Sequence, residues 1–143
     1  MEVKKEAIDF IALLKACAKK KDLYGGSKLH DDILQRGLLV KSPYLASTLI
    51  NMYAKCGALA KAQQVLEELS AKDTISWNAL ITGYVQQGQG HEALTCFRRM
   101  QSNGLSPDVV TFTCILKACG ITGAVYKGKQ IHAKIANMGI LEK

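Results

Sequence analysis

Thr74–Asp108 reads TISWNALITGYVQQGQGHEALTCFRRMQSNGLSPD. Trp77, Leu80, Ile81, Tyr84 and Val85 recur at near-helical spacing, which gives a first helix one apolar face. Gln87-Gly88-Gln89-Gly90 interrupts the pattern, and Ala93, Leu94, Phe97 and Met100 resume it on a second helix. Asn103-Gly104 supplies residues that tolerate the left-handed conformation of a helix C-terminal cap. Pro107 prevents the helix from continuing. A helix pair this short cannot cover its own apolar faces, so it requires stacking partners.

The partners lie in the same chain, because the pattern repeats. Leu14-Lys15-Ala16-Cys17 returns as Leu116-Lys117-Ala118-Cys119, 102 positions later. At the same displacement, Gly26-Ser27-Lys28-Leu29-His30 returns as Gly128-Lys129-Gln130-Ile131-His132. Between them, Leu49-Ile50, Tyr53, Gly57, Ala62, Leu66 and Leu69 map at an offset of 31 onto Leu80-Ile81, Tyr84, Gly88, Ala93, Phe97 and Met100. The latter map at an offset of 35 onto Ile115-Leu116, Cys119, Gly123, Gly128, His132 and Ile135. Four units are expected, 7–42, 43–73, 74–108 and 109–143, after an N-terminal lead of residues 1–6. Two helices per unit make an all-α solenoid of about eight helices, in which each unit buries what its neighbour leaves exposed. Gly26 and Gly128 share a slot with Ala62 and Ala93, where a small residue allows close helix approach.

The chain has 143 residues, 48% hydrophobic and 22% charged, as expected of one globular domain. No apolar run approaches the roughly 20 residues of a membrane span, so no membrane partner is expected. A net charge of +7 suits an anionic partner such as nucleic acid, although a basic solvated surface is also common. All of that charge lies in units 7–42 and 109–143; the two middle units are each neutral. The five cysteines, Cys17, Cys56, Cys96, Cys114 and Cys119, include no CxxC pair, which argues against zinc. They fit small core positions in a reducing compartment, and no metal or cofactor is expected. The N-terminus has neither the apolar core of a signal peptide nor the arginine and serine of a transit peptide. That fits a protein acting where it is made, a mature form or a fragment.

These residues resemble the plant pentatricopeptide repeat (PPR) proteins, in particular the PLS class with its long, short and standard motifs. Leu49-Ile50-Asn51-Met52-Tyr53-Ala54-Lys55-Cys56-Gly57 is similar to the short motif. Ser76-Trp77-Asn78-Ala79-Leu80-Ile81, with Glu92-Ala93-Leu94 and Gly104…Pro107-Asp108, is similar to the standard motif. The two Leu-Lys-Ala-Cys segments with their Gly…His segments resemble the long motif. The order is long, short, standard, long over residues 7–143.

The resemblance implies a right-handed α-solenoid that binds single-stranded RNA sequence-specifically in mitochondria or chloroplasts, one base per repeat. Base choice would rest on one residue early in the first helix and the last residue of the unit. These are Asn78 and Asp108, a uracil-preferring pair, and Ser47 and Asp73, a purine-reading pair favouring guanine. An amide offers both donor and acceptor to a base edge, and a carboxylate can hold the pair in register through water. Ile11 and Ser42 depart from the code, and Thr113 lacks a closing partner. Ile8, Tyr44, Ile75 and Val110, the second residue of each unit, would sandwich bases. Lys15 and Lys117, four residues after Ile11 and Thr113, share their helical face; with Lys19 and Lys55 they are candidate phosphate contacts.

Other assignments compete. Asn78 suits a helix cap as well. His30 and His132 align with the core-type residues Leu66 and Phe97, so packing is expected of them. His91-Glu92 begins a zinc-protease string, but Thr95 stands where the second histidine belongs. The H-x-E and P-C-x-x-C signature of the deaminase domains that end many PLS proteins is absent from these residues, so no enzyme is expected in this chain alone. The resemblance points to site selection in C-to-U RNA editing, with splicing or transcript stabilisation as alternatives. A protein-binding helical scaffold is the competing class. The long-type units would dock small multiple-organellar-editing-factor proteins.

Overall fold

The computed structural model describes residues 2–70, 72–123, 128–131 and 133, with side chains from Lys5 onward. Its helices are α1 (Glu2–Lys20), α2 (Leu23–Gln35), α3 (Pro43–Lys55), α4 (Leu59–Glu68), α5 (Thr74–Gln86), α6 (Gly90–Ser102) and α7 (Val109–Thr122). Residues 128–131 are helical too, and no strand occurs among the described residues. The fold is all-α, as the periodicity implies.

Helices α1, α3, α5 and α7 stack in sequence as one layer. Each of α2, α4 and α6 lies against its own preceding helix and against the one that follows, and Glu67 of α4 pairs with Arg99 of α6 at 3.2 Å. Every second helix thus wedges two first helices together. Helix α5 sits in the middle and buries much of its circumference, including Trp77, Leu80, Ile81 and Tyr84. Ala93, Leu94, Phe97 and Met100 of α6 close over it. Each large side chain fully buried in this way contributes about 1.5–3 kcal/mol. Val85 is only partly buried, because it lies at the edge of the α5 contact face.

Gly88 follows α5 at φ 76° and Gly104 follows α6 at φ 79°. After α5, Gly88 N–H donates to Val85 O at 3.0 Å and Gln89 N–H to Tyr84 O at 2.8 Å, which closes a Schellman turn. Of the expected Asn103-Gly104 cap only the glycine is left-handed; Asn103 stays at φ −84°. Lys21 occupies the matching place after α1 at φ 56°.

The expected lead 1–6 is helical from Glu2 and continues into α1. Glu6 takes an ion pair from Arg36 at 2.7 Å, tying the start of α1 to the end of α2. Two tyrosines also bridge helix pairs. Tyr53 of α3 bonds His30 Nδ1 of α2 at 2.7 Å, and Tyr84 of α5 donates to Gln63 of α4. His30 is therefore a packing residue, and burial holds its imidazole below the usual value. His132 lies outside the described residues. The five cysteines form no disulfide; burial pushes the Cys96 thiol up to about 11.

Close approach decides the stacking distance at Gly83. A Cβ there would lie 2.5 Å from the Cβ of Ala54 on α3, a group fixed to its backbone. The sequence pattern singles out Gly26 instead, where an added Cβ meets only the flexible side chain of Met52. Gly83→Ala should force α3 and α5 apart and cost about 2 kcal/mol. Gly120→Ala, on an open face of α7 with nothing within 4 Å, should be neutral or stabilise by up to about 1 kcal/mol. Urea denaturation of both variants checks the contrast; equal effects would contradict it.

Candidate functional site

The first N–H groups of a helix have no intrahelical acceptor, so each helix start needs one supplied. At α3 it is Ser42, whose Oγ accepts from Leu45 N–H at 3.2 Å. At α5 it is Asp73, accepting from Ser76 N–H at 2.9 Å. At α7 it is Asp108, whose Oδ1 accepts from Thr111 N–H at 3.0 Å. The residue closing each expected unit is thus the N-cap of the next first helix.

Asn78 does not cap its helix; Asp73 does. Asn78 lies one turn in, 7% exposed, and its Nδ2 donates directly to Asp108 Oδ1 at 3.0 Å. The pair expected to be linked through water is linked by contact. Thr111 completes the cluster: its backbone and hydroxyl form a capping box with Asp108, and the hydroxyl lies 2.5 Å from Asn78 Oδ1. Thr111 is fully buried. A buried threonine beside Phe112 reads as core in sequence, so its role at the cluster was not anticipated.

Ser47 and Asp73 are not joined in this way. The Ser47 hydroxyl donates to Tyr44 O in its own helix at 2.9 Å, since a serine side chain is too short to reach across the seam. Thr113 is exposed and likewise donates to Val109 O at 2.8 Å. Ile11 packs against the core and offers no polar group.

Ile8, Tyr44, Ile75 and Val110 are exposed at 57%, 54%, 54% and 51%. They recur near the start of successive first helices, so one layer carries a spaced row of bare apolar side chains. Lys15 Nζ lies 5.6 Å from the centroid of the Tyr44 ring, within cation–π range. Lys15, Lys19 and Lys55 line a common groove with Lys21, Asn51, Gln86 and Gln87. Lys117 is exposed on α7 and is not among the residues of that groove. Lys21 joins the cluster only through its place in the turn after α1, which spacing along one helix face does not reveal. No group of three or more His, Cys, Asp or Glu side chains among the described residues could hold a metal ion. Among the described residues, no helix is long and apolar enough to cross a membrane.

The PPR repeat model matches residues 45–73, and the PPR repeat family model matches residues 72–120. This chain belongs to the pentatricopeptide repeat family. A mitochondrial PPR-containing protein of Arabidopsis thaliana is 40% identical over 121 residues, covering 85% of this chain and 16% of that protein. The chloroplastic PPR-containing protein CRR2 of the same plant is 38% identical over 125 residues, covering 87% of this chain and 19% of its own length. The chain therefore spans less than a fifth of either relative. Maize PPR10 has a similar fold, with a TM-score of 0.72 at 24% identity over 93% of this chain and 20% of PPR10. PPR10 in complex with an 18-nt psaJ RNA element matches with a TM-score of 0.58 at 19% identity, over 94% of this chain and 25% of PPR10.

In this PPR chain the Asp108 carboxyl is electrostatically tuned. Partial burial alone would raise it, but hydrogen bonds from the Thr111 N–H, the Asn78 amide and the Val110 N–H hold it below the usual carboxylate value. A carboxyl lowered in the folded chain stabilises above the ordinary carboxylate value, and that contribution is lost as pH falls through the folded one. Asp108→Asn keeps a competent cap but removes the titration. Its stability should fall less steeply than wild type below about pH 4. Urea denaturation across pH 2–6 checks this; identical acid limbs would contradict it.

Proposed function

We propose that this chain is a sequence-specific single-stranded RNA-recognition segment of an organellar PPR protein, with PLS-type units at 7–42, 43–73, 74–108 and 109–143. The Asn78–Asp108 hydrogen bond is the observation that carries the proposal. It joins an early first-helix residue of one unit to the closing residue of that unit, the two positions the family uses to choose a base. The Asn78 amide and Asp108 read uracil; Ser47 and Asp73 read guanine. Tyr44, Ile75 and Val110 provide the platforms between which bases stack, each typically giving about 1–3 kcal/mol where aromatic and less where aliphatic. Lys15, Lys19 and Lys55 hold phosphates along the shared groove, and Lys117 does so further along the array. Ile8 is the equivalent platform of the first unit, whose apolar Ile11 departs from the code, and Thr113 is the base-reading residue of unit 109–143.

The mitochondrial and chloroplastic relatives support an organellar location. The unit order supports site selection in C-to-U editing over splicing or transcript stabilisation. The long-type units, which hold all the net charge, are the docking places for small editing-factor proteins. A partner retained on the chain after nuclease treatment supports that docking, and one released by nuclease does not.

Selection of short RNAs from a randomised pool tests the coding. The expected result is enrichment of a guanine–uracil step, in that 5′ to 3′ order, with affinity that weakens as salt rises. Binding with no enriched step would overturn the assignment of Ser47, Asp73, Asn78 and Asp108.

A further inference from the structure

The geometry points to Thr111 as a third member of the uracil reader, a positioning residue that fixes which edge of the Asn78 amide is offered to the base. The inference rests on base reading by Asn78, and its logic is a count of donors and acceptors. The Asp108 carboxylate can only accept, so the group facing its Oδ1 at 3.0 Å must be the Asn78 NH2. That leaves Asn78 Oδ1 turned toward Thr111, 2.5 Å from its hydroxyl. The Thr111 oxygen already accepts from Asp108 N–H at 3.1 Å. Its single proton has two candidate acceptors, Asn78 Oδ1 and, at 3.0 Å, Asp108 Oδ1. The nearer is the amide oxygen, and Asp108 Oδ1 is already served by the Thr111 N–H and the Asn78 amide.

Donation into the amide oxygen has two effects. It engages the Asn78 oxygen and turns it toward Thr111, and it polarises the amide so that the remaining N–H is a stronger donor. The face left for a base is therefore donor-rich. Uracil presents a carbonyl oxygen where cytosine presents an amine, so a fixed donor accepts the first and rejects the second. The two pyrimidines have nearly the same size, and stacking on Ile75 and Val110 cannot separate them. Thr111 comes from the helix of the following unit, so one unit's base choice depends on its neighbour. The third residue of α3 is Leu45 and that of α5 is Ser76, both buried. The unit closed by Ser42, whose reader position is Ile11, thus meets no hydroxyl from the third residue of the following helix.

The test compares Thr111→Val, which keeps shape and loses the hydroxyl, with Thr111→Ser, which restores it. Hexanucleotide RNAs carrying a central guanine–uracil or guanine–cytosine step are titrated into the full chain and followed by NMR. Thr111→Val should reduce the preference for uracil over cytosine by about fivefold, the worth of about one hydrogen bond. Thr111→Ser should retain the preference. The preference for guanine over adenine at the Ser47 position should not change in either variant, which separates a local effect from general unfolding. An unchanged uracil-to-cytosine ratio in Thr111→Val overturns the inference. The Asn78 side-chain amide resonance of the RNA-free protein supplies a second readout: it should move in Thr111→Val and return toward wild type in Thr111→Ser. A resonance that stays put also overturns the inference. Wild-type protein that binds RNA with no pyrimidine preference, while the resonance moves as expected, would instead refute base reading by Asn78 and leave the orienting role of Thr111 standing. If Thr111→Val does not fold, Thr111→Ala is read by the same two criteria.

Discussion

Unpaired N–H groups at the start of α3, α5 and α7 each demand an acceptor, and the chain supplies it from the residue that closes the preceding unit. Ser42, Asp73 and Asp108 fill these places. A cap must sit at the helix start, on the seam between two stacked helix pairs, with its side chain turned toward backbone N–H groups. Such a placement leaves little freedom. At the seam between α5 and α7 the same carboxylate oxygen serves the helix and holds the Asn78 amide. On the proposed reading, stability and recognition converge on one atom, Asp108 Oδ1.

Stacking fixes the distance over which this convergence operates. Gly83 lets α3 and α5 approach, while Tyr53 and Tyr84 reach back to bond the second helix of the preceding pair. Trp77 of α5 is fully buried, with Arg99 of α6 5.4 Å from its ring centroid. The tyrosine bridges recur from one helix pair to the next, and the first helices stack in sequence. The exposed residues Tyr44, Ile75 and Val110 consequently stand in a row, one per stacked first helix. Their spacing follows from helix packing and needs no contact among themselves.

Much of this arrangement was legible in the sequence. Apolar periodicity located α5 and α6, and the repeat offsets placed Tyr44, Ile75 and Val110 in equivalent positions. The physical reason is that helix faces and glycine turns are local signals. Contacts across a seam are not. Thr111 looks like an ordinary buried residue next to Phe112, and nothing in its own helix marks it as a partner of Asn78. Gly83 is one small residue on a helix rich in apolar ones; only the position of Ala54 makes it indispensable. Lys21 enters the basic groove because its φ of 56° turns the chain there. The Ser47–Asp73 pair was placed by position, yet the serine hydroxyl turns to its own helix backbone. Residue type sets how far a side chain can reach across the seam: an asparagine amide spans it, and a serine does not.

A double-mutant cycle on Asn78 and Asp108 measures the shared seam most directly. Asn78→Ala, Asp108→Ala and the double variant are compared with wild type for unfolding free energy and for affinity to RNA carrying uracil. If one contact serves both fold and recognition, each single substitution removes most of the uracil preference, the double variant loses little more, and the unfolding energies couple by about 1 kcal/mol. Additive losses in both measurements would mean that the two side chains act independently, and would contradict a reader built on the bond between them.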